Sequence, residues 1–191
     1  MTAFRRRRLP RIARRMIRRE LGLDRRTTSR ILRANRLLSR GRPAKAAELF
    51  SEAAAAVEQM GLPAASMLYI ETGRAQLQSG QRDFASANYQ RGLELLIAAR
   101  RADRLQTLGR LAVGELEAAG FSQLAADLGE KVERAIQAAG PSTIAPPPAQ
   151  APRLPAKCPY CGGNVRSSEV DWLAPEEPAC AYCGSSLGVE S

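Results

Sequence analysis

Cys158, Cys161, Cys180 and Cys183 are the four cysteines of the 191-residue chain, and they stand as two Cys-x-x-Cys pairs with eighteen residues between them. Three chemistries use such pairs. Disulfides belong to oxidising compartments, and no apolar run that would make a secretory signal follows the positive N-terminus. A thioredoxin-like redox centre needs a βαβ setting. Here the first pair follows a proline-rich stretch and is followed by Gly162-Gly163. Zinc fits best: the spacing is that of a four-thiolate site, and four sulfurs close a tetrahedron around Zn²⁺. A closed shell leaves no position for water, so one structural Zn²⁺ is expected rather than a catalytic one.

The flanks agree with that reading. Gly162 and Gly184 follow the second cysteine of each pair, and Val165 and Leu187 stand four positions beyond it. The halves thus look like two equivalent knuckles. "VRSSEVDWL" between them has the composition of a short strand, with Trp172 as a cap over a small core. The segments "CPYCGGNV" and "CAYCGSSL" resemble the knuckles of the zinc-ribbon family, which implies a small β ribbon. A module this short builds little core, so metal would supply most of its folding free energy. Its charge is acidic: Arg166 stands against Glu169, Asp171, Glu176, Glu177 and Glu190. Phosphate binding needs Lys or Arg, so this ribbon suits a protein surface better than a nucleic acid.

Other chemistry is thin. The chain has no histidine, the commonest general base. No paired carboxylates or nucleophile constellation stand out, and the protein is expected not to be an enzyme.

The elements that carry the ribbon are helical. Gly41, Gly80 and Gly120 recur at intervals of 39 and 40. Five residues after each comes an alanine that starts a stripe at +4, +7 and +11: Ala46-Phe50-Ala53-Val57, Ala85-Tyr89-Gly92-Leu96, Ala125-Gly129-Val132-Ile136. An internal repeat of this kind signals stacked units. Pro43 and Pro63 suit helix starts, Asp103 and Ser122 N-caps, Gly61 and Gly140 C-terminal caps. Three helix-turn-helix units, six helices in all, are expected; a generic antiparallel bundle is the alternative.

"GRPAKAAELFSEA" and "GQRDFASANYQRG" resemble the second half of tetratricopeptide (TPR) repeats, and "GFSQLAADLGEKV" keeps the glycine and alanine with Gly129 at the aromatic position. The resemblance implies a mainly α fold, an α-α superhelix of three TPR-like units. It also implies a protein-binding groove lined by Asn35, Ser39, Arg74, Gln78, Arg110 and Glu117, or, on the plainer reading, a row of solvent-facing side chains.

The net charge of +10 is uneven. Residues 1–42 hold sixteen arginines against Glu20 and Asp24, a balance of +14, while residues 43–191 hold thirteen basic and seventeen acidic residues, a balance of −4. Arg5, Arg6, Arg7, Arg8, Arg11, Arg14, Arg15, Arg18 and Arg19 lie in a basic arm with an apolar stripe of Leu9, Ile12, Ala13, Met16 and Leu23. An amphipathic helix ending near Gly22 is expected there. Such an arm could bind RNA or DNA by phosphate neutralisation, lie on an anionic membrane, target an organelle, or pack on the first repeat. The expected division is arm 1–26, TPR-like helical domain 27–140, proline-rich linker 141–157 and zinc ribbon 158–191. The sequence thus points to a cytoplasmic protein-binding adaptor, peripheral to membrane or ribosome if its arm localises it. An RNA- or ribosome-associated factor is the alternative.

Overall fold

The computed structural model describes residues 23–100, 102–139, 153–159, 162–167, 169–174, 177–180 and 186–187. The arm's nine arginines from Arg5 to Arg19, its expected helix and Gly140 lie outside the described residues.

Helices follow one another in α1 (Arg25–Leu38), α2 (Pro43–Gln59), α3 (Ala64–Gln78) and α4 (Arg82–Ala98). A composite rod comes next: α5 (Ala102–Arg104), a π-helical turn (Leu105–Gly109) and α6 (Arg110–Ala118); α7 (Ser122–Ala139) ends the array. Each helix packs on the next, and α4 also packs on α7. The protein is mainly helical, with six rods among the described residues.

The turns are built alike, which is why the glycines recur. Gly41, Gly61, Gly80 and Gly120 all have φ between 67° and 83°. After each, the next N–H bonds back to the carbonyl five residues earlier: Arg42 to Leu37, Leu62 to Val57, Gln81 to Gln76, Phe121 to Leu116, at 2.9–3.1 Å. This is a Schellman stop, in which glycine takes the left-handed position without a Cβ penalty. The remaining junction uses Arg100 at φ 52°.

The repeated stripe forms the core. Ala46, Phe50, Ala53, Val57 and Ala85 are fully buried, and Tyr89, Leu96, Ala125 and Val132 nearly so. Gly129 is half-buried. Gly92 permits close approach: a Cβ there would stand 2.8 Å from the Ser66 carbonyl oxygen and from Ile70 Cγ1.

Helix starts differ in detail from expectation. Asp24 caps α1, accepting the Thr27 N–H at 2.5 Å. The array therefore begins before residue 27 and takes Arg25 and Arg26 from the expected arm. Pro43 opens α2 and Pro63 caps α3. Asp103 is not a cap but lies inside α5, and Ser122 is the first residue of α7.

In the C-terminal module β1 (Asp171–Ala174) and β2 (Glu177–Ala179) pair antiparallel. Leu154 packs on the core, and Lys157 pairs with Asn164. Residues 154–157 thus join the module rather than the linker. Among the described residues no helix is long and apolar enough to cross a membrane.

Candidate functional site

Side chains of α1 and α3 meet the C-terminal module. Every residue of α3 from Ala64 to Gln76 except Tyr69 is buried, charged ones included. A helix buried all round has a cover on the side away from its helical neighbours. Gly162, Arg166 and Glu169 of the C-terminal module meet α1 and α3 there.

Asn35 in α1 is the first anchor. Its Nδ2 donates to the Ile31 carbonyl at 3.1 Å and to the Gly162 carbonyl at 2.9 Å. Gly162 has φ 73°, and a Cβ there would run into the Leu32 side chain. Only glycine fits this seat.

The second anchor is a ring of alternating charges. Glu71 and Arg74 are one helical turn apart in α3 and bond at 2.6 Å. Arg166 and Glu169 have the same spacing in opposite order and approach to 3.1 Å. Across the interface Arg74 meets Glu169 at 2.6 Å and Arg166 meets Glu71 at 2.5 Å. Each charge therefore lies between two of opposite sign. The Glu71 side chain is 0% exposed, Glu169 1% and Arg74 8%. Glu115 of α6 joins from the side, accepting from Arg74 Nε at 2.8 Å and from the Tyr89 hydroxyl at 2.7 Å.

Burial opposes the charge on Arg74, but Glu115, Glu71 and Glu169 outweigh it and hold its pKa above the usual value. Arg166 is raised in the same way, with Glu71 the largest favourable influence against desolvation. Both guanidiniums stay charged at any working pH. Burial, and then the Glu115 carboxylate, push the Tyr89 phenol up, so it remains a hydrogen-bond donor. The cluster holds three carboxylates and two guanidiniums. Glu71 Oε2 and Asn35 Oδ1 are buried with no hydrogen-bond partner among the described residues.

The six groove candidates separate. Asn35 and Arg74 come together under the module. Ser39, Gln78 and Glu117 are exposed. Arg110 faces α7, bonding Glu133 at 2.7 Å with both side chains about half exposed. The face is thus occupied over α1 and α3 rather than an open groove. Leu32, Glu71, Glu115, Arg166 and Glu169 were not anticipated. The signal for three of them was present: Glu71 with Arg74 and Arg166 with Glu169 form two pairs at spacing three, of opposite order, in separate segments.

The cysteine hairpins share one register. Lys157 pairs with Asn164 and Ala179 with Ser186, in each case the residue before the first cysteine with the third after the second. The Val165 N–H bonds the Ala156 carbonyl at 3.1 Å and the Leu187 N–H the Pro178 carbonyl at 2.7 Å, again at matching positions. Cys158 and Cys180, the first cysteine of each pair, are buried at 2% and 1% exposure. Cys161 and Cys183 lie outside the described residues. Among the described residues no three His, Cys, Asp or Glu form a metal-holding group.

Comparison with known protein families, with curated proteins and with solved structures gives no match for this chain.

Proposed function

We propose that this chain is a non-enzymatic protein-interaction adaptor: a TPR-like superhelix of three units carrying a structural zinc ribbon. One observation carries the reading. The first-helix face already holds a peptide segment, through an amide-to-carbonyl bond at Asn35 and a guanidinium-to-carboxylate bond at Arg74. Those are the terms on which a groove recognises an extended protein ligand.

Cys158, Cys161, Cys180 and Cys183 would hold the Zn²⁺. Two buried first cysteines on hairpins of matching register suit a four-thiolate site. When bound, zinc supplies folding free energy to the module. The chain's own residues supply the turns: Cys158 N–H bonds the Gly163 carbonyl at 2.8 Å and Gly162 N–H bonds the Cys158 carbonyl at 2.9 Å. Elemental analysis of purified protein should give about one zinc per chain; a folded C-terminal module without metal would refute the site. Cross-linking of the protein purified from its native cell tests the adaptor role. Partner cross-links should map to residues 25–139, and recovery of the protein alone or with RNA only would refute it.

An RNA- or ribosome-associated role is the second reading, and α1 favours it. Arg25, Arg26, Arg33 and Arg36 are exposed and fall within about 100° of the helix circumference, with Arg40 and Arg42 exposed just beyond. The chemistry is phosphate neutralisation, continuous in sequence with the basic arm. Deleting residues 1–26 should flatten the salt dependence of RNA binding without abolishing it, and adding Arg33→Glu, Arg36→Glu and Arg40→Glu should remove the rest. Unchanged binding in the combined variant would exclude this reading. Co-flotation with anionic but not neutral vesicles would assign the same arginines to a membrane surface.

A further inference from the structure

We infer that the first-helix face is a receptor for protein segments presenting an Arg-x-x-Glu pair, and that the C-terminal module is its resident, displaceable occupant in cis. The inference rests on the adaptor reading and names the class of partner.

Three observations support it. The charge ring is sequence-specific: a segment satisfies Glu71 and Arg74 together only if its own cation and carboxylate stand at matching spacing and opposite order. A reversed pair would set like charges against each other in a desolvated site, which discriminates strongly. The Asn35 bond reads a main-chain carbonyl and is available to any partner backbone. Finally, the present occupant underuses the face. Glu71 Oε2 and Asn35 Oδ1 are buried acceptors without donors among the described residues, two points at which a partner segment could add a hydrogen bond.

A resident occupant lowers the apparent affinity for a competing one by the fraction of time the face is closed. Two changes in the module should open the face without touching any cysteine or any groove residue. Glu169→Arg places a cation against Arg74 and beside Arg166. Gly162→Ala drives a methyl group into Leu32 and requires alanine at φ 73°.

The probe is a fluorescein-labelled nonapeptide, Gly-Gly-Asn-Val-Arg-Ser-Ser-Glu-Val, the sequence of residues 162–170. Its binding to zinc-loaded full-length protein is followed by anisotropy. The expected result is a Kd at least tenfold lower for Glu169→Arg than for wild type, with the gain lost when glutamine replaces glutamate in the probe. Amide exchange over residues 64–78 should quicken in the variant and slow again with peptide. Equal Kd values, no binding to the variant, unchanged exchange, or equal binding of the glutamine probe would each overturn the inference. Gly162→Ala repeats the test should Glu169→Arg fail to fold. Zinc content is measured on every sample. Absent zinc with the expected peptide behaviour defeats only the ribbon, and retained zinc without it defeats only the receptor.

Discussion

Arg74→Met tests the buried ring most directly. Methionine roughly preserves the volume of the side chain and removes its charge. Arg74 is 8% exposed and bonds Glu71, Glu115 and Glu169. Without it, Glu71 and Glu169 are left with Arg166 alone, and Glu115 keeps only the Tyr89 hydroxyl. Glu71 and Glu169 are 0% and 1% exposed, so water cannot replace the lost partner without undocking the module. Removing one member of a buried ion pair typically costs about 3–5 kcal/mol. Whole domains are stable by only about 5–15 kcal/mol, so the loss would be a large share of the total. Urea unfolding of the full chain, followed by circular dichroism at 222 nm, measures it. Arg110→Met is the control, because the Arg110–Glu133 pair is solvent-exposed and its loss should barely move the midpoint. A cost below about 1 kcal/mol for Arg74→Met, the range of exposed pairs, would refute the claim that this ring is desolvated.

Gly114 lies in α6, where an added Cβ would meet nothing within 4 Å, so Gly114→Ala should stabilise the protein by about 0.5–1 kcal/mol in the same urea assay. Gly92→Ala should do the reverse, costing about 1–3 kcal/mol, because its Cβ meets the Ser66 carbonyl oxygen at 2.8 Å. Asp24→Ala should cost about 1 kcal/mol at pH 7 through loss of the cap. The Thr27 N–H holds the Asp24 carboxyl below its ordinary 3.8, so its contribution is complete above that value and lost as pH falls through the lower folded one. The stability gap between wild type and Asp24→Ala should therefore close as the pH is taken down from 3.8 through the lower folded value, seen in paired urea melts. If the proposed four-thiolate site holds zinc, a chelator should speed amide exchange in both residues 153–187 and residues 64–78 while leaving the helical dichroism signal in place; unchanged exchange in 64–78 would show that docking does not depend on a metal.

The helical part of this fold was legible because its signals are local. A glycine at each Schellman stop and a stripe at fixed offset depend on backbone conformation and on one helix face, both of which sequence spacing reports. Arg100 was missed for the converse reason: a positive φ at arginine has no compositional mark. Two of the residues singled out by the repeat register, Asn35 and Arg74, meet the C-terminal module. Asn35 and Arg74 each stand six residues before a turn glycine, Gly41 and Gly80. The third unit has Gly114 at that position, and Glu115 beside it supplies the contact. A repeat register cannot anticipate a side chain delivered from the neighbouring position, and the π-helical turn over Leu105–Gly109 further shifts the phase of that rod. The occupancy of the face was not legible at all, because it depends on pairing across 95 residues of sequence.

That separation also orders events during synthesis. Glu71 and Arg74 leave the ribosome well before Arg166 and Glu169 exist to meet them. At about 5–20 residues per second, the 95 residues from Glu71 to Arg166 take roughly 5–20 s to add. Helices assemble far faster than that. Each newly made chain therefore passes through an interval in which Glu71 and Arg74 have folded into their helix and the segment that will pair with them does not yet exist.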